Sequence, residues 1–291
     1  MNHTIKNEHL CLTVSTKGGE MLSIQTIDGT EYLWQGDYNT WTDHAPNLFP
    51  YIGRLNNKTY IYQGKNYSLD IHGFLPYTEM ELLRQTPNQL TFRLTDTESL
   101  RSIYPFQFEL LIHYQIEKNK IRITYEIHNQ NEKPMYFGLG GHPGFNVPLE
   151  KDLHFEDYVL EFSNSCNPYQ VTFSKKCFVT GESAPYPLED GTTLPLSHDM
   201  FDEDAIVLHN TAKEISLKSK KGTKSVKVSF PEMKYIGFWH WPKTAVNYVC
   251  IEPWSSLPAR EDVIEDLETQ KNLICLEAGK IYTNTWEIEI F

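Results

Sequence analysis

Apolar and polar residues alternate along much of the chain, and this alternation limits the possible folds more strongly than any other feature of the sequence. In KIRITYEIH, residues 120–128, isoleucine or tyrosine occupies every odd position from 121 to 127, and a polar residue occupies every even position from 122 to 128. The segments FQFELLIHYQI, QLTFRLT, SVKVSF, IGFWHW and TNTWEIEIF have a similar pattern, and most are bounded by Asn, Gly, Asp or Pro. A side-chain period of two predicts half-buried antiparallel strands.

The segments between these strands predict a fold with very few helices. EKNKI (117–121) and YQGKNYSL (62–69) indicate hairpin turns, and only SLRSIYP (99–105) and SSLPAREDVIEDL (255–267) have the character of short helices. Many strands joined by short turns need a second sheet to cover their apolar faces. We therefore predict an all-β fold with one large antiparallel β-sandwich. No repeat or linker interrupts the 291 residues, so a single domain spanning residues 1–291 is the simplest organisation.

Charge and cysteine content argue against several classes of partner and location. The formal net charge is −12 and the 26 Lys and Arg residues are scattered, so a nucleic-acid backbone would be repelled over most of the surface. The polar start MNHTIKNEHL and the lack of an apolar run of about 20 residues argue against a signal peptide or membrane span, and we expect a cytoplasmic protein. The five cysteines form no C-x-x-C pair, so we expect reduced, structural thiols.

Four short segments differ from ordinary strands and turns and carry candidate site residues. They contain Arg54 in NLFPYIGRL, His72 in DIHGFLPY, His142 in GGHPGFN and Glu252 in VNYVCIEPWSSLP. Arg54 is either paired with a carboxylate or directed at a polar ligand. The Glu252 carboxylate needs a partner or a cleft, because burying it unpaired is costly. A carboxylate, two imidazoles, a guanidinium and the ring of Trp254 are the groups that a hydroxyl-rich ligand requires, and they predict a sugar site.

The segment GLGGHPGFNV (138–147) places His142 among glycines in a tight bend. Its only polar side chains are those of His142 and Asn146. Glycines lack the Cβ atom that would keep a ligand or another strand away from the backbone. Two interpretations stay open at this point: a binding cleft, or a hairpin corner in which His142 bonds to a nearby carbonyl.

Motifs for metals and nucleotides are not found in the sequence. The 11 histidines form no H-x-x-x-H or H-x-H pair, and no Cys/His pair occurs at ligand spacing, so no metal site is predicted. The motifs G-x-x-x-x-G-K-[ST], G-x-G-x-x-G and G-x-S-x-G are also missing. Nucleotide-binding and serine-hydrolase functions therefore have no support.

Taken in order, these segments resemble the aldose 1-epimerase (galactose mutarotase) superfamily, and more closely its LacX-like branch. The resemblance runs nearly end to end, from GGEMLSIQTIDGTEYLW through LFPYIGRL, YSLDIHGF, GGHPGFNVPL, MFDEDAIVL and IEPW to LEAGKIYTNTWEI. It implies a large β-supersandwich with a sugar in its cleft. It also implies that His72 and Arg54 contact ring hydroxyls, that His142 is an acid and that Glu252 is a base.

The matched motifs imply further contacts, and the departures from them limit what is known of the substrate. Phe74 in H-G-[FG], Asn146 in H-x-x-F-N and Trp254 beside the glutamate are candidate sugar contacts. The family's sugar-binding aspartate falls in FDEDAIVL, where Asp202 and Asp204 compete and Asp204 fits better by its distance from the following apolar pair. Galactose-specific members carry L-E-T-Q at the base and asparagine-rich context after the arginine. Here IEPW stands instead, so a preference for galactose is not implied.

Exchange of α and β anomers requires an acid and a base beside one carbon. The base removes the proton of the anomeric hydroxyl while the acid protonates the ring oxygen; the ring opens to an aldehyde, the C1–C2 bond rotates, and the ring recloses. A Glu with a pKa of about 4.3 suits the base and a His near 6.5 suits the acid, each contributing roughly 10² to 10⁴ in rate. The reaction needs no cofactor, so a cofactor-independent isomerase is predicted.

Two other functions use the same residues. A non-catalytic sugar-binding or sugar-sensing protein has no need of an acid and base pair. A glycoside hydrolase usually needs two carboxylates about 5 to 10 Å apart, such as Glu252 with Asp202 or Asp204, and would leave the two imidazoles without a role.

The expected substrate is an aldose, either free or phosphorylated. Arg260 in LPARED either meets a phosphate or forms a surface ion pair with Glu261 or Asp262. The sequence predicts neither a nucleic-acid nor a membrane partner, and it carries no signal for an oligomeric state.

Overall fold

The computed structural model describes all of residues 1–291 and consists of strands, one α-helix and four 3₁₀ turns. The strands of the first half are β1 (Asn2–Lys6), β2 (Leu10–Ser15), β3 (Met21–Thr26), β4 (Asn47–Leu48), β5 (Thr59–Tyr62), β6 (Lys65–Ser68), β7 (Glu81–Thr86), β8 (Gln89–Thr95), β9 (Phe108–Glu117), β10 (Lys120–Asn129), β11 (Met135–Phe137), β12 (Gly140–Gly141) and β13 (Gly144–Asn146). Those of the second half are β14 (Tyr158–Phe162), β15 (Tyr169–Phe173), β16 (Val179–Pro185), β17 (Thr193–Pro195), β18 (Ile206–His209), β19 (Glu214–Ser219), β20 (Val226–Ser229), β21 (Tyr235–Trp239), β22 (Tyr248–Trp254), β23 (Glu265–Asp266), β24 (Ile274–Leu276) and β25 (Ile281–Ile290). The α-helix, α1, is Glu98–Ile103, and the 3₁₀ turns are Asn56–Lys58, Leu75–Tyr77, Phe155–Asp157 and His198–Phe201.

The largest sheet has nine antiparallel strands in the order β17-β14-β19-β20-β25-β10-β9-β8-β7. Buried and less buried positions alternate along β9 and β10, as the period-two pattern predicts. The two strands join at Lys118 and Asn119, so the hairpin predicted at EKNKI is confirmed. The hairpin predicted at YQGKNYSL is also confirmed, between β5 and β6.

The second large sheet has eight strands, and its strands β13 and β22 carry Asn146, Glu252 and Trp254. Its order is β16-β15-β18-β21-β22-β12-β4, with β13 paired beside β12 on the same strand, β22. Smaller sheets are formed by β1-β2-β3, β11-β24 and β23-β5-β6.

The two large sheets pack face to face. The Tyr125 hydroxyl on β10 donates to Asn47 Oδ1 on β4 at 2.7 Å, and the rings of Phe162 on β14 and Phe238 on β21 lie 6.4 Å apart. A single cluster of 65 buried hydrophobic residues includes side chains from both sheets. The predicted all-β sandwich is confirmed, and we propose that residues 1–291 form one domain around this core.

The helix predictions had different outcomes. The predicted helix at 99–105 is confirmed as α1, which Thr97 caps by accepting the backbone N–H of Leu100 at 3.1 Å. The helix predicted at 255–267 is wrong, because this segment is irregular and ends in β23. Its backbone groups bond to distant residues: Ala259 N donates to the Arg54 carbonyl, and Asn56 Nδ2 donates to the carbonyls of Arg260 and Val263.

None of the helices has the length and apolar character needed to cross a lipid bilayer. All five cysteines are unpaired. Cys250 is buried, in agreement with the apolar segment around it, whereas Cys275 is exposed on the short strand β24.

Candidate active site

A cleft of about 270 Å³ opens at the eight-stranded sheet. This volume is close to the lower end for small-molecule sites, and half of the lining residues are hydrophobic. Six of the residues singled out in the sequence line it: Arg54, His72, His142, Asp204, Glu252 and Trp254. The structure thus brings together residues that are spread over two hundred positions of the chain.

His142 and Glu252 face each other across paired backbone segments. Gly140 on β12 pairs with Trp254, and Gly144 on β13 pairs with Cys250, so the intervening His142 lies opposite Glu252. Side chains opposite each other on antiparallel strands share one face of the sheet. His142 Nε2 and Glu252 Oε2 are 3.2 Å apart, and their side chains are 10% and 1% exposed.

The glycines around His142 permit close packing. A Cβ atom on Gly141 would lie 2.6 Å from Cζ2 of Trp286, and one on Gly144 would lie 2.6 Å from Cζ3 of Trp41. The missing Cβ atoms therefore allow two indole rings to pack against the backbone of this segment. His142 makes its backbone bond to the Pro46 carbonyl, while its side chain lines the cleft. Of the two interpretations open for this segment, the cleft agrees with the structure.

The surroundings of His72 define which of its nitrogens carries the proton. The backbone N–H of Gly53 donates to His72 Nδ1 at 3.2 Å. Burial lowers the pKa of His72 well below its usual value, and the neighbouring His142 and Arg54 lower it further. A neutral His72 that accepts at Nδ1 carries its proton on Nε2, which makes it a donor for a ligand. The φ angle of His72 is 65°, a left-handed conformation of the kind found more often at functional sites.

Burial also shifts the pKa values of His142 and Glu252, the predicted acid and base. It lowers the pKa of His142 to about 4 and raises the pKa of Glu252 well above its usual value, and the charge of the nearby Asp204 raises that of Glu252 further. In the free protein burial therefore favours a neutral imidazole and a protonated carboxyl group over the charged pair. From the sequence we expect an ionised Glu252 and a His142 that a neighbouring carboxylate keeps protonated. The structure favours the neutral forms because both groups are deeply buried, which the sequence does not show.

Asp204 is the aspartate that lines the cleft. Its Oδ2 lies 3.6 Å from Arg54 NH1, and its φ angle of 85° turns the backbone there. The competing Asp202 is outside the cleft, where its Oδ1 accepts the backbone N–H of Lys243. Arg54 is thus both paired with a carboxylate and open to the cleft, with 47% of its side chain exposed.

Tryptophan rings form much of the cleft wall, and sequence reasoning missed most of them. Trp41, Trp239 and Trp241 line the cleft together with the predicted Trp254. The ring of His142 is 5.1 Å from that of Trp41 and 5.7 Å from that of Trp239. The alternating tryptophans in FWHW are the one local signal for two of them, but the same alternation is typical of any half-buried strand. Asp43 and Tyr77 also line the cleft, and no local pattern marks them.

Two candidate sugar contacts, Asn146 and Phe74, do not line the cleft. Asn146 Nδ2 donates to the carbonyls of Glu31 and Leu33, so its amide holds a neighbouring loop. Phe74 is 6% exposed and packs edge-on against Phe49. The motifs that contain these two residues therefore did not predict which way their side chains point.

Arg260 is also outside the cleft. Its Nε and NH2 donate to the two carboxylate oxygens of Glu265, each at 3.0 Å. Glu265 is 1% exposed, so the arginine neutralises a buried charge. The partner expected from the sequence, Glu261 or Asp262, is not the one observed, and neither residue lies in an ion pair with Arg260.

The chain is similar to known proteins over nearly its whole length. A family model described as aldose 1-epimerase matches residues 1–268. The chromosomal LacX protein of Lactococcus lactis subsp. lactis is 31% identical over 292 aligned positions, covering 96% of this chain and 97% of that protein.

Solved structures share the fold. A galactose mutarotase related enzyme from Lactobacillus acidophilus superimposes with a TM-score of 0.95 at 31% identity, over 100% of this chain and 97% of the other. A galactose mutarotase-like protein from Lactobacillus casei gives a TM-score of 0.94 at 27% identity, with both chains fully covered. Because the family model and the LacX similarity both extend over most of the sequence, this chain belongs to the aldose 1-epimerase family.

Proposed function

We propose that the protein is a cofactor-independent aldose 1-epimerase, an isomerase that interconverts the α and β anomers of an aldose. The observation that carries this proposal is the contact between His142 Nε2 and Glu252 Oε2, 3.2 Å apart at the wall of the cleft. The anomeric hydroxyl and the ring oxygen are bonded to the same carbon. Two proton-transfer groups this close together can therefore serve both oxygens of one bound sugar.

One proton shared by the pair accounts for the whole cycle. When Glu252 is a carboxylate and His142 an imidazolium, ring opening moves the anomeric hydroxyl proton to Glu252 and a proton from His142 to the ring oxygen. Both groups are then neutral and the sugar is an open-chain aldehyde. Reclosure on either face of the aldehyde returns both protons and gives either anomer.

The neutral pair favoured by burial corresponds to the open-chain stage of this cycle. Binding of a closed sugar requires the proton to pass from Glu252 to His142 before ring opening. The distance of 3.2 Å allows this transfer through a small reorientation of either side chain. The pair carries the same net charge in both forms, so the transfer places no additional net charge in a site of low polarity.

The other lining residues supply groups that suit a sugar ring. Nε2–H of His72 and the guanidinium of Arg54 are donors for hydroxyl oxygens, and Asp204 is an acceptor. Trp239 and Trp254 offer aromatic faces for the apolar side of a pyranose. These contacts hold the ring while the acid and base act on the anomeric carbon.

The charges of the cleft favour a neutral aldose over a sugar phosphate. Arg54 is the one cationic side chain of the lining, against the acidic side chains of Asp43 and Asp204, and the His142–Glu252 pair has no net charge in either of its forms. Asp204 already offsets the charge of Arg54 at 3.6 Å, and Arg260 is engaged by Glu265. We therefore propose a free aldose as the substrate. A thermal-shift comparison of glucose and galactose with their 6-phosphates tests this, with the larger stabilisation expected for the free sugars.

The activity is tested by polarimetry on freshly dissolved α-D-glucose and α-D-galactose, with the spontaneous rate subtracted. We expect the purified protein to accelerate the approach to anomeric equilibrium and Glu252→Gln to lower the rate by about 10² to 10⁴, because an amide cannot accept the anomeric proton. Asp202→Asn, which changes a carboxylate outside the cleft, is the matched control and should retain the rate. A wild-type protein that binds the sugar without accelerating mutarotation would instead be a sugar-binding protein.

A further inference from the structure

Cys250 has no role in the proposed reaction, yet it lies beside the acid and base. Nitrogen, sulfur and oxygen donor atoms of His142, Cys250 and Glu252 all lie within 4.8 Å of one another. All three residues are buried, with 8%, 0% and 1% of their surface exposed. A thiol, an imidazole and a carboxyl group in one place form a complete set of ligand types for a thiophilic cation.

The backbone fixes this arrangement. Cys250 and Glu252 are two positions apart on β22, so their side chains leave the same face of the strand. His142 approaches that face from the segment between β12 and β13, which both pair with β22. The three donors are thus held by paired strands and do not depend on a mobile loop.

Two polar atoms of this cluster lack hydrogen-bond partners. His142 Nδ1 and Glu252 Oε2 are buried and have no hydrogen-bond partner. The 3.2 Å contact of Oε2 with His142 Nε2 has the distance of an ion pair and is not a hydrogen bond. Buried polar atoms without a partner are rare in folded proteins, and a bound ion is one of the ways in which such atoms are satisfied. A cation bound here would satisfy Oε2.

The spacing of the donors fits zinc. Two ligand atoms that each lie about 2.0 to 2.1 Å from zinc at a tetrahedral angle are about 3.3 Å apart, and His142 Nε2 and Glu252 Oε2 are 3.2 Å apart. The Cys250 sulfur lies within 4.8 Å of a donor atom of each of these two residues and would have to move closer to reach its longer bond distance of about 2.3 Å from the metal. Mg²⁺ and Ca²⁺ prefer oxygen ligands, so a site with one sulfur and one nitrogen discriminates against them.

We propose that His142, Cys250 and Glu252 together bind Zn²⁺ or a divalent cation of the same thiophilic class, and that the bound cation inhibits the enzyme by occupying its acid and base. A thiolate and a carboxylate offset the two positive charges, which leaves the buried complex neutral. The three protein ligands leave a fourth position for water from the cleft, as in zinc sites with an open coordination position. The binding is independent of the proposed function, whereas the inhibition rests on it.

The binding is tested by calorimetric titration of the metal-free full chain with Zn²⁺ in the absence of sugar. We expect one ion per chain and an affinity that falls at least about tenfold in Cys250→Ser and Cys250→Ala. Cys177→Ser is the matched control, because Cys177 lines the same cleft but lies outside the three-residue cluster; this variant should bind Zn²⁺ as the wild type does. Co²⁺ used as a second probe should show a thiolate-to-metal charge-transfer band that both Cys250 variants lose.

Circular dichroism and thermal melting verify that each variant is folded, and the alanine variant provides a second measurement if the serine hydroxyl is not tolerated in the buried site. Equal Zn²⁺ affinity in the wild type and in a folded Cys250 variant would overturn the site, as would an affinity lost only in Cys177→Ser.

The inhibition is tested separately on the same preparations by polarimetry. We expect Zn²⁺ to slow mutarotation, a saturating aldose to weaken this inhibition, and the chelator EDTA to restore the rate. Acceleration by Zn²⁺, or slowing that a Cys250 variant retains in full, would overturn the inhibitory role. A wild-type protein without mutarotase activity that still binds Zn²⁺ through Cys250 would disprove the proposed function and leave the metal site intact.

Discussion

His142 lies directly across from Glu252 on neighbouring antiparallel segments, and the 3.2 Å between Nε2 and Oε2 is set by the register of those segments. The two residues are more than a hundred positions apart in the chain. Because regular pairing continues on both sides of them, sugar binding does not need to assemble the pair. Such preorganisation keeps proton-transfer groups at a reactive distance without a closing loop.

Replacement of His142 by Asn should separate proton transfer from binding. We expect kcat to fall by about 10² to 10⁴ while KM changes little, because an acid acts mainly in the transition state. Saturation kinetics by polarimetry measures both constants. The control is His113→Asn on β9, which removes an imidazole outside the cleft and should keep both constants. A large rise in KM at constant kcat would assign His142 to binding alone.

The pH dependence of kcat/KM should have an acidic limb near pH 4. Burial lowers the pKa of His142 to about 4 and raises that of Glu252. Between these two values the pair holds one proton and the enzyme is active. Below pH 4 both groups are protonated and no base remains, so kcat/KM decreases as the pH falls. Above the raised pKa of Glu252 neither group holds a proton and activity decreases again.

The profile is measured in a constant-ionic-strength buffer series, with the acid- and base-catalysed background subtracted at each pH. An acidic limb near pH 6.5, the ordinary value for histidine, would show that the imidazole of His142 is well hydrated in the free protein. That result would contradict the neutral pair described here.

Arg54→Ala should weaken sugar binding with little effect on stability. The guanidinium contacts Asp204 at 3.6 Å, with side chains 47% and 28% exposed, and exposed pairs contribute at most about 1 kcal/mol to folding. A charged hydrogen bond to a hydroxyl is stronger, about 1.5 to 3 kcal/mol, which predicts a rise in KM of roughly 10- to 100-fold. Lys58→Ala, which removes a cation that pairs with Asp70 on the surface, should leave KM unchanged.

Much of this fold could be predicted from the sequence because its signal is local. The alternation in KIRITYEIH reflects the pleat of one strand, and β10 has the predicted burial at every position from 121 to 127. The segment 255–267 has a helical composition but no helix, because its backbone groups find partners around Arg54 and Asn56. Those partners are about two hundred residues away, and no local pattern contains them.

The site could be predicted only in part for a similar reason. Residue types at motif positions predicted His72, His142 and Glu252 as site residues, and all three line the cleft. Whether Phe74 faces the cleft or the core depends on how the chain turns after His72. The metal-ligand set including Cys250 is invisible to spacing rules, because its members come from two paired segments.

Arg260→Ala should lower stability without changing sugar kinetics. Glu265 is 1% exposed and accepts two bonds from the guanidinium of Arg260. Removing the arginine leaves a buried carboxylate unpaired except for a backbone N–H, which we expect to cost about 3 kcal/mol in the free energy of unfolding. Urea denaturation measures this loss.

The double variant Arg260→Ala with Glu265→Gln should recover part of that stability, because the buried charge is then gone. KM for free and for 6-phosphorylated aldoses should equal the wild-type values in all of these variants. A KM that rises only for the phosphorylated sugar would show that Arg260 contacts the phosphate group of the substrate.

Gly141→Ala should destabilise the protein by about 1 to 3 kcal/mol, the usual cost of an extra atom in a packed core. The new Cβ would lie 2.6 Å from Trp286, a rigid ring held between the sheets. Urea denaturation gives the free energy of unfolding. The matched control is Gly237→Ala on β21, which lies on the other side of β22 from β12; there the Cβ meets its nearest atom at 3.4 Å, an ordinary contact. Equal losses of unfolding free energy in the two variants would mean that the contact with Trp286 is not the cause of the destabilisation. A loss of stability confined to Gly141→Ala, together with a lower mutarotation rate, would show that the close packing of Gly141 against Trp286 positions His142.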